Sequence, residues 1–463
     1  MRRSPTLLSI SLLLWTLTAC APTDDAPRDV LFITVDTLRA DMVGVNGHPR
    51  PSTPNLDRIG GAGVVFERHY STVPMTAPSH ATMFTGLWVA EHGLLRNGNT
   101  FPAEVPTLAE TYREAGYRTA AVIGSMVLDK KFGMDRGFDV FDQSIELRDG
   151  LRRRRKTSAE RYASEVVDVA LSILDDTPQD QPLFLWVHVF DPHAPFEAPE
   201  RHIEAAGSKV HFRPRLENTR LFLREELLGA YLGYELEIAY TDHELGRLLE
   251  AWDTRERGPN SVVAITSDHG EGMGEHGLME HALFLYEEQL HVPLVIRAPG
   301  RIEPGSRVET PTSMIDLAAT LVELATPGAD SPLPGVDLTG ALRGEAVRTV
   351  AAERPYFSDF DLELAPRAQA LTLYEDRGNA RGAQVTLIDS DWKFIKSADV
   401  QPEIYDLVED PSELENLYRE QSERLAEFES RLGQWSQGLA PTAASESLED
   451  EDTLRMLEAL GYR

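Results

Sequence analysis

Asp36 directly follows the apolar run Val30 to Val35, while Asp268 and His269 follow the run Val262 to Thr266 after a single serine. Two carboxylates and an imidazole are oxygen and nitrogen donors suited to a divalent cation. Thr76 opens the segment Thr76-Ala77-Pro78-Ser79-His80, where a proline just past the threonine suits the first turn of a helix. A threonine hydroxyl alone is a poor nucleophile, so it needs a cation beside it and a helix N-terminus behind it. The cation would lower the hydroxyl pKa and shield the charge of an incoming ester. A further run, Leu183 to Val189, leads into Phe190-Asp191-Pro192-His193-Ala194-Pro195. Singly, each residue has a plainer reading: an aspartate after a strand caps a helix, Thr76 caps the helix it precedes, and His80 sits in a core. Together they cluster after strand ends, where open α/β sheets bind their ligands.

The elements that must position these residues are legible as short apolar runs bounded by turn residues. Val30 to Val35, Thr119 to Ile123, Leu183 to Val189, Val262 to Thr266 and Val292 to Ile296 read as strands. They lack polar alternation, which predicts strands covered on both faces, as in parallel sheets. Helical spacing over Thr107 to Ala115 and over Glu225 to Trp252 supplies the covering layers. The fold class expected is α/β: a large mixed, mostly parallel sheet sandwiched by helices, with a small C-terminal α+β subdomain. That subdomain is expected over 346–437, from strand-like pieces at 369–374, 384–388 and 392–395 and a helix at 412–435, followed by an acidic, helical tail at 438–463. The catalytic domain is expected over 29–345. The basic run Arg152 to Lys156 reads as a solvated loop or helix start, with a face toward anionic substrate or lipid as the alternative.

With 463 residues, 42% apolar and 26% charged, the chain can bury one large core and a smaller unit. A formal charge of −30 excludes the nucleic-acid binders, which need a basic face to displace counterions. Arg2 and Arg3 precede an apolar run from Leu7 to Ala19 that is too short to span a bilayer comfortably, so 1–19 is expected to be a signal peptide. The run ends Leu17-Thr18-Ala19-Cys20, which resembles the bacterial lipobox, and Cys20 is the chain's single cysteine. The resemblance implies lipidation of Cys20, a tether over 20–28, and a periplasmic or outer-membrane location held by the lipid. Oligomeric state is not legible.

Four blocks carry a family resemblance: Asp36-Thr37-Leu38-Arg39-Ala40-Asp41, Thr76-x-Pro78-Ser79-His80 with Thr85-Gly86, Asp191-Pro192-His193-x-Pro195, and Ser267-Asp268-His269-Gly270-Glu271. In order and spacing they look like the signature blocks of sulfatase-like enzymes of the alkaline phosphatase superfamily. Thr53-Pro54-Asn55-Leu56-Asp57, Tyr286-Glu287-Glu288, Val292-Pro293-Leu294 and Tyr405-Asp406-Leu407 extend the likeness over roughly 29–420. The resemblance implies a metal bound by Asp36, Thr76, Asp268 and His269, and catalytic roles for Thr76, His80, His193 and His281. It also implies that Asp191, His193 and His281 hold a second metal or the substrate's oxygens; Glu271 and His276 read as supporting or acid/base groups.

Departures from the pattern bear on the substrate. Sulfatases carry a cysteine or serine, converted to formylglycine, in a Cys-x-Pro-x-Arg block; here Thr76 and His80 stand in those places, and threonine cannot be converted by that route. Thr-x-Pro-x-His is instead similar to nucleotide pyrophosphatase/phosphodiesterases, and a metal-bound threonine also serves phosphoethanolamine and glycerophosphate transferases. Thr37 replaces the second aspartate of the usual pair, which with His269 favours zinc or manganese over calcium or magnesium, as one or two ions. The function expected is extracytoplasmic hydrolysis of a small phosphate or sulfate ester through a covalent Thr76 intermediate, with phosphoesters favoured. A transferase acting on envelope lipids or glycans is the alternative, and a non-catalytic binding lipoprotein is the third reading.

Overall fold

The computed structural model describes residues 28–49, 52–144, 160–196, 224–277, 279–329, 332–344, 350–354, 384–397 and 401–439, with short pieces elsewhere. The expected signal peptide, Cys20, most of the tether, the basic run 152–156 and the strand expected at 369–374 lie outside the described residues. Among the described residues no helix is long and apolar enough to cross a membrane.

A nine-stranded sheet organises the first unit. Its main strands in chain order are β1 (Val30–Val35), β2 (Val64–Tyr70), β3 (Arg118–Val122), β4 (Val140–Asp142), β5 (Leu183–Val189) and β6 (Val262–Ser267). A small separate hairpin, β7 (Gly272–Met273) with β8 (Met279–Glu280), precedes the last two, β9 (His291–Arg297) and β10 (Ser306–Val308). Across the large sheet the order is β10, β2, β9, β6, β1, β5, β3, β4. The block from β6 to β4 is parallel, whereas β9 runs antiparallel to both β6 and β2, so the sheet is mixed.

Successive strand residues point to opposite faces. Val30 and Phe32 of β1 therefore join one buried cluster with Phe66, Phe184 and Trp186, and Leu31, Ile33 and Val35 join another with Val187 and Trp252. The first face is covered by α2 (Thr76–Thr85), α3 (Leu108–Glu114) and α6 (Leu317–Ala325). The second is covered by α1 (Pro54–Gly61), α4 (Ala163–Asp176) and the long α5 (Arg224–Thr254). All six residues of β1 and all seven of β5 are buried, which is why their sequences show no polar alternation.

The second unit is an antiparallel sheet of β11 (Val350–Arg354), β12 (Gln384–Asp389), β13 (Trp392–Ser397) and β14 (Glu403–Asp406), with α7 (Ser422–Gly438) across it. The helix expected to start at 412 starts at Ser422. Asp410 Oδ2 accepts the backbone N–H groups of Leu414 and Glu415 at 2.7 and 2.8 Å, Glu413 adopts φ +53°, and Leu417 N–H bonds Ile404 of β14. Those donors are committed to a turn and to the sheet, so the helix cannot begin earlier.

The two units meet over a buried ionic network. Lys393 of β13 is fully buried, with Nζ 3.0 Å from Glu287 Oε1 and 2.9 Å from Glu413 Oε1. Burial opposes its charge, but Glu413 and Glu287 outweigh that and hold the ammonium above its usual pKa. His276 Nδ1 is 2.9 Å from Glu288 Oε1, and its ring stacks on Tyr286 with centroids 3.7 Å apart. Burial works against a charged His276 too, yet Glu288 and Glu413 prevail and raise its pKa to about 9.

A raised folded-state pKa means that the contribution of His276 is complete below the unfolded value of about 6.5 and is lost as pH climbs through about 9. At about 1.4 kcal/mol per pKa unit, His276→Gln should lower unfolding stability by about 3 kcal/mol at pH 6, shrinking toward zero by pH 10. Urea unfolding of the two proteins across that range measures the difference; a pH-independent gap would show that packing, not charge, is what His276 supplies.

Candidate active site

The sheet's directions bring the chemistry to one edge. β1, β5 and β6 end side by side at Val35, Val189 and Ser267, so Asp36, Asp191 and Asp268 leave the same carboxyl edge. Two antiparallel pairings, β6 to β9 and β9 to β2, point β2 the same way as β1, and the chain after Tyr70 delivers Thr76 to that edge as the first residue of α2.

Donor atoms of Asp36, Asp268 and His269 all lie within 4.8 Å of one another, and all three residues have no exposed surface. His269 Nε2 is 3.9 Å from Asp36 Oδ1, 3.5 Å from Asp268 Oδ2 and 3.5 Å from Thr76 Oγ1. The group suits a cation on three counts. Neither carboxylate oxygen of Asp36, nor Oδ2 of Asp268, makes a close, well-aligned hydrogen bond among the described residues, and the side chain that favours an ionised Asp36 is the Thr76 hydroxyl beside it. His269 Nδ1 is 2.9 Å from the Gly270 carbonyl, to which it must donate, which leaves Nε2 as a lone-pair nitrogen facing the carboxylates. Burial, with the charges of Asp268 and Glu271 added, pushes the Asp36 carboxyl well above its ordinary range, a strain that a bound cation would relieve.

Backbone around the cluster is held in place. Asp268 Oδ1 accepts the N–H groups of Thr37 and His269 at 3.2 and 2.9 Å, so only Oδ2 is turned to the cluster. Ser71 and Ser79 both donate to the Asp268 carbonyl, at 2.6 and 2.7 Å. Thr37 takes φ +56°, a left-handed conformation costly for a β-branched residue, and is held there by Tyr234, whose hydroxyl donates to its carbonyl at 2.6 Å. The Thr37 hydroxyl is buried without a hydrogen-bond partner among the described residues.

The expected histidines divide by role. His80 Nδ1 donates to the Thr76 carbonyl at 2.8 Å, one helical turn back, and its Nε2 accepts from the Thr34 hydroxyl at 3.0 Å. With both nitrogens committed and burial lowering its pKa, His80 is a neutral brace behind Thr76. His193 donates Nδ1–H to the Ala194 carbonyl at 2.7 Å and stacks on Phe190. His281 stands 5.0 Å from His193 and 4.4 Å from His269, ring to ring, and burial drops its pKa to about 4. Asp191 turns elsewhere: its Oδ2 accepts the N–H of Ala163 at 2.7 Å, at the first turn of α4. Among the described residues a single metal-type cluster assembles, and Asp191 is outside it.

Two neighbours were not picked out by sequence reasoning. His188, near the end of β5, accepts the Gly124 N–H on Nδ1 at 3.3 Å, so its Nε2 carries the proton and faces Asp36 Oδ2 at 3.4 Å. A lone histidine in the otherwise apolar Leu183–Val189 was its only signal. Asn97 Oδ1 accepts the N–H of Ala77, the residue after Thr76, at 2.8 Å, and its Nδ2 is buried without a partner among the described residues. Nothing in the local sequence marks it, because the contact is made across a loop.

Residues 28–327 match the family model described as Sulfatase, and residues 274–437 match one described as N-sulphoglucosamine sulphohydrolase, C-terminal. The chain is 26% identical over 434 residues to an uncharacterized sulfatase of Escherichia coli (strain K12), covering 84% of this chain and 82% of that protein. It is 24% identical over 440 residues to a choline-sulfatase of Rhizobium meliloti (strain 1021), covering 84% and 82%. Among solved structures, the phosphonate monoester hydrolase of Agrobacterium radiobacter shares the fold with a TM-score of 0.72 at 24% identity, over 91% of this chain and 97% of that one. A protein solved in complex with its substrate D-glucosamine-2-N,6-O-disulfate matches with a TM-score of 0.71 at 21% identity, over 89% and 98%.

The buried carboxylates generate a crossing prediction. Without metal, Asp36→Asn should unfold at the same or a higher temperature than the native chain, because it removes a buried carboxyl whose ionisation burial and Asp268 oppose. With zinc or manganese at a hundredfold excess over Kd, the native chain should gain about 2.7 kcal/mol and the variant almost none. Thermal unfolding with and without metal decides it; equal metal stabilisation of both proteins would take Asp36 out of the ligand set.

Proposed function

This chain belongs to the sulfatase family, and on that basis we propose that it is an extracytoplasmic, metal-dependent hydrolase of phosphorus or sulfur esters whose nucleophile is Thr76. The family's hydrolase character is common ground; the nucleophile, the location and the choice of ester are this reading's own. The observation that carries it is the position of the Thr76 hydroxyl: first residue of α2, fully buried, and 3.5 Å from the lone-pair nitrogen of His269 in the Asp36–Asp268–His269 cluster.

A divalent ion held by Asp36, Asp268 and His269, with Thr76 as a further oxygen ligand, would stabilise the threonine alkoxide and the ester's negative charge. The chain's own residues supply the rest. Thr76 gives up its hydroxyl proton to solvent and Oγ1 attacks the central phosphorus or sulfur in line; the bond to the leaving oxygen breaks, and that oxygen departs with the electron pair and takes up a proton from solvent. The N-terminal end of α2 favours negative charge at Thr76, and the spare Nδ2 of Asn97 is suited to donate to a non-bridging oxygen. His193 and His281, ring to ring beside His269, are placed to contact the ester's remaining oxygens.

Release follows from the nucleophile's structure. The Cβ of Thr76 carries one oxygen and a methyl group, so no second hydroxyl on that carbon can form a carbonyl and expel the bound acid group. Water must attack the central atom, which breaks its bond to Oγ1 and returns a proton to the threonine. We favour a phosphorus ester on this ground, since no formylglycine chemistry is open to threonine. The Leu17-Thr18-Ala19-Cys20 segment supports a lipid anchor at the cell envelope.

Metal-loaded protein, assayed on nitrophenyl phosphate, bis-nitrophenyl phosphate and nitrophenyl sulfate, tests the reading. Thr76→Ala should lower kcat at least about 10⁴-fold on the preferred ester while keeping metal stabilisation, and chelation should abolish turnover. Retention of even a tenth of the activity in Thr76→Ala would exclude Thr76 as the nucleophile.

A further inference from the structure

Arg96-Asn97-Gly98-Asn99 carries the asparagine–glycine pair of a tight turn. The Asn99 N–H donates to the Arg96 carbonyl at 3.3 Å, and Gly98, third of the four residues, takes φ +87°, as a type II turn requires there. The turn serves α2. Met75, which precedes that helix, makes no side-chain cap, so the first amides of α2 need partners from elsewhere. Asn97 Oδ1 is the partner of the Ala77 N–H, at 2.8 Å, one residue past Thr76. On its inner side the turn is tied back to the same helix: His92 Nδ1 accepts the Leu94 N–H at 3.1 Å, and His92 Nε2 lies 3.1 Å from the Thr82 hydroxyl.

The far end of the chain covers the turn from outside. Thr453 and Leu457 are helical and four positions apart, hence on one face, and both are buried, whereas Glu451 is exposed. Leu457 belongs to the core cluster of the first sheet face, and Leu448 packs against that cluster. Three contacts fasten the tail. The Leu448 N–H donates to the Gly98 carbonyl at 3.2 Å. Leu457 Cδ1 stands 2.7 Å from where a Cβ on Gly98 would lie, so a side chain at that position is opposed by contact as well as by its positive φ. Lys131 Nζ donates to the Thr453 hydroxyl at 2.9 Å. The buried side chains of the tail thus close over the turn that reaches α2 beside Thr76.

We propose that the C-terminal tail is a clasp on the active-site turn, with Leu457 a positioning residue that acts through Gly98 and Asn97. Its effect on turnover rests on the Thr76 reading above; the clasp itself does not. With Leu457 packed outside Gly98 and the Gly98 carbonyl bonded to Leu448, the turn keeps one orientation, and Asn97 keeps its bond to the Ala77 N–H. Removing the Leu457 side chain takes away the outer wall of the turn. Asn97 then holds the start of α2 for only part of the time, and the hydroxyl of Thr76 loses the fixed backbone from which it is aimed.

Amide hydrogen exchange tests the clasp without any substrate. In Leu457→Ala the amides of the Arg96–Asn99 turn and of Ala77 should exchange at least about tenfold faster than in the native protein, while those of β1 and β5 keep their native rates. Unchanged exchange at the turn would overturn the proposal, and faster exchange throughout the sheet would reduce Leu457 to a support of the core. Turnover supplies the second arm. In metal-loaded protein on the preferred ester, Leu457→Ala should lower kcat about 30-fold with little change in KM, since a small misplacement of reacting groups is costly. Leu457→Met, which refills most of the space, should recover at least about half of the native kcat. Because the clasp acts through Asn97, adding Leu457→Ala to Asn97→Ala should cost no more than about threefold beyond Asn97→Ala alone. Losses that multiply in the double variant would overturn the proposal in favour of a separate structural role. If Leu457→Ala fails to fold, Leu457→Val takes its place in both arms. A native enzyme inert on every ester, with the exchange difference intact, would refute the Thr76 reading and leave the clasp standing.

Discussion

Two carboxylates without exposed surface, Asp36 and Asp268, set the terms for everything around them. Buried charge is tolerated only when it is neutralised or coordinated, and here the nearest side chains are imidazoles that burial keeps neutral. The surrounding residues do not quench the carboxylates. Asp268 spends one oxygen on two backbone N–H groups, and His188 offers Asp36 a single N–H edge at 3.4 Å. The remaining lone pairs converge with that of His269. Such an arrangement is unfavourable for the protein alone and favourable for the protein with a cation, which is the signature of a functional site rather than a structural one.

That constraint extends well beyond the cluster. Thr37 is held in a left-handed conformation so that its N–H can reach Asp268, and Tyr234 of α5 is committed to its carbonyl. Arg39 then ties the β1 loop to the hairpin that carries His281, and the neighbouring His276 joins Glu288 and Glu413 at the boundary of the second unit. The loop after β1 and the β7–β8 hairpin are thus linked to the Asp36–Asp268–His269 cluster through Thr37 and Arg39. The second unit belongs to the same electrostatic assembly as the first, and its Lys393 is as buried as any ligand.

Much of this was readable from the sequence, for definite reasons. Strands buried on both faces appear as unbroken apolar runs, so β1, β5, β6 and β9 and the polar residues beyond the first three were found directly. The expectation of a mostly parallel sheet followed from the same runs, but which strand runs antiparallel did not. What sequence could not give was direction and partnership. β2 mixes Glu67, Arg68 and His69 with apolar residues and was missed, although it delivers Thr76. Asp191 sits in the expected place but spends an oxygen on the α4 N-terminus, because an aspartate after a strand serves a helix cap as readily as a metal. His188 and Asn97 became visible only when distant segments were brought together. The start of α7 was misplaced because Asp410 and Ile404 outbid helix formation for the N–H groups between 414 and 417.

Thr76, the nucleophile of the proposed reading, shows how local rules and long-range contacts combine. A threonine is stiffer than a serine about χ1, since two heavy atoms on Cβ restrict its rotamers. At the first position of α2, Thr76 has its own carbonyl fixed by His80 and the next amide fixed by Asn97, while Ser79, three residues on, is tied to the Asp268 carbonyl. Backbone and side chain are therefore both restricted before any substrate arrives. Orienting a hydroxyl in advance removes an entropic cost from the attack, and effective molarities show how much rate such pre-orientation supplies. A serine in the same place would keep the oxygen and lose the stiffness.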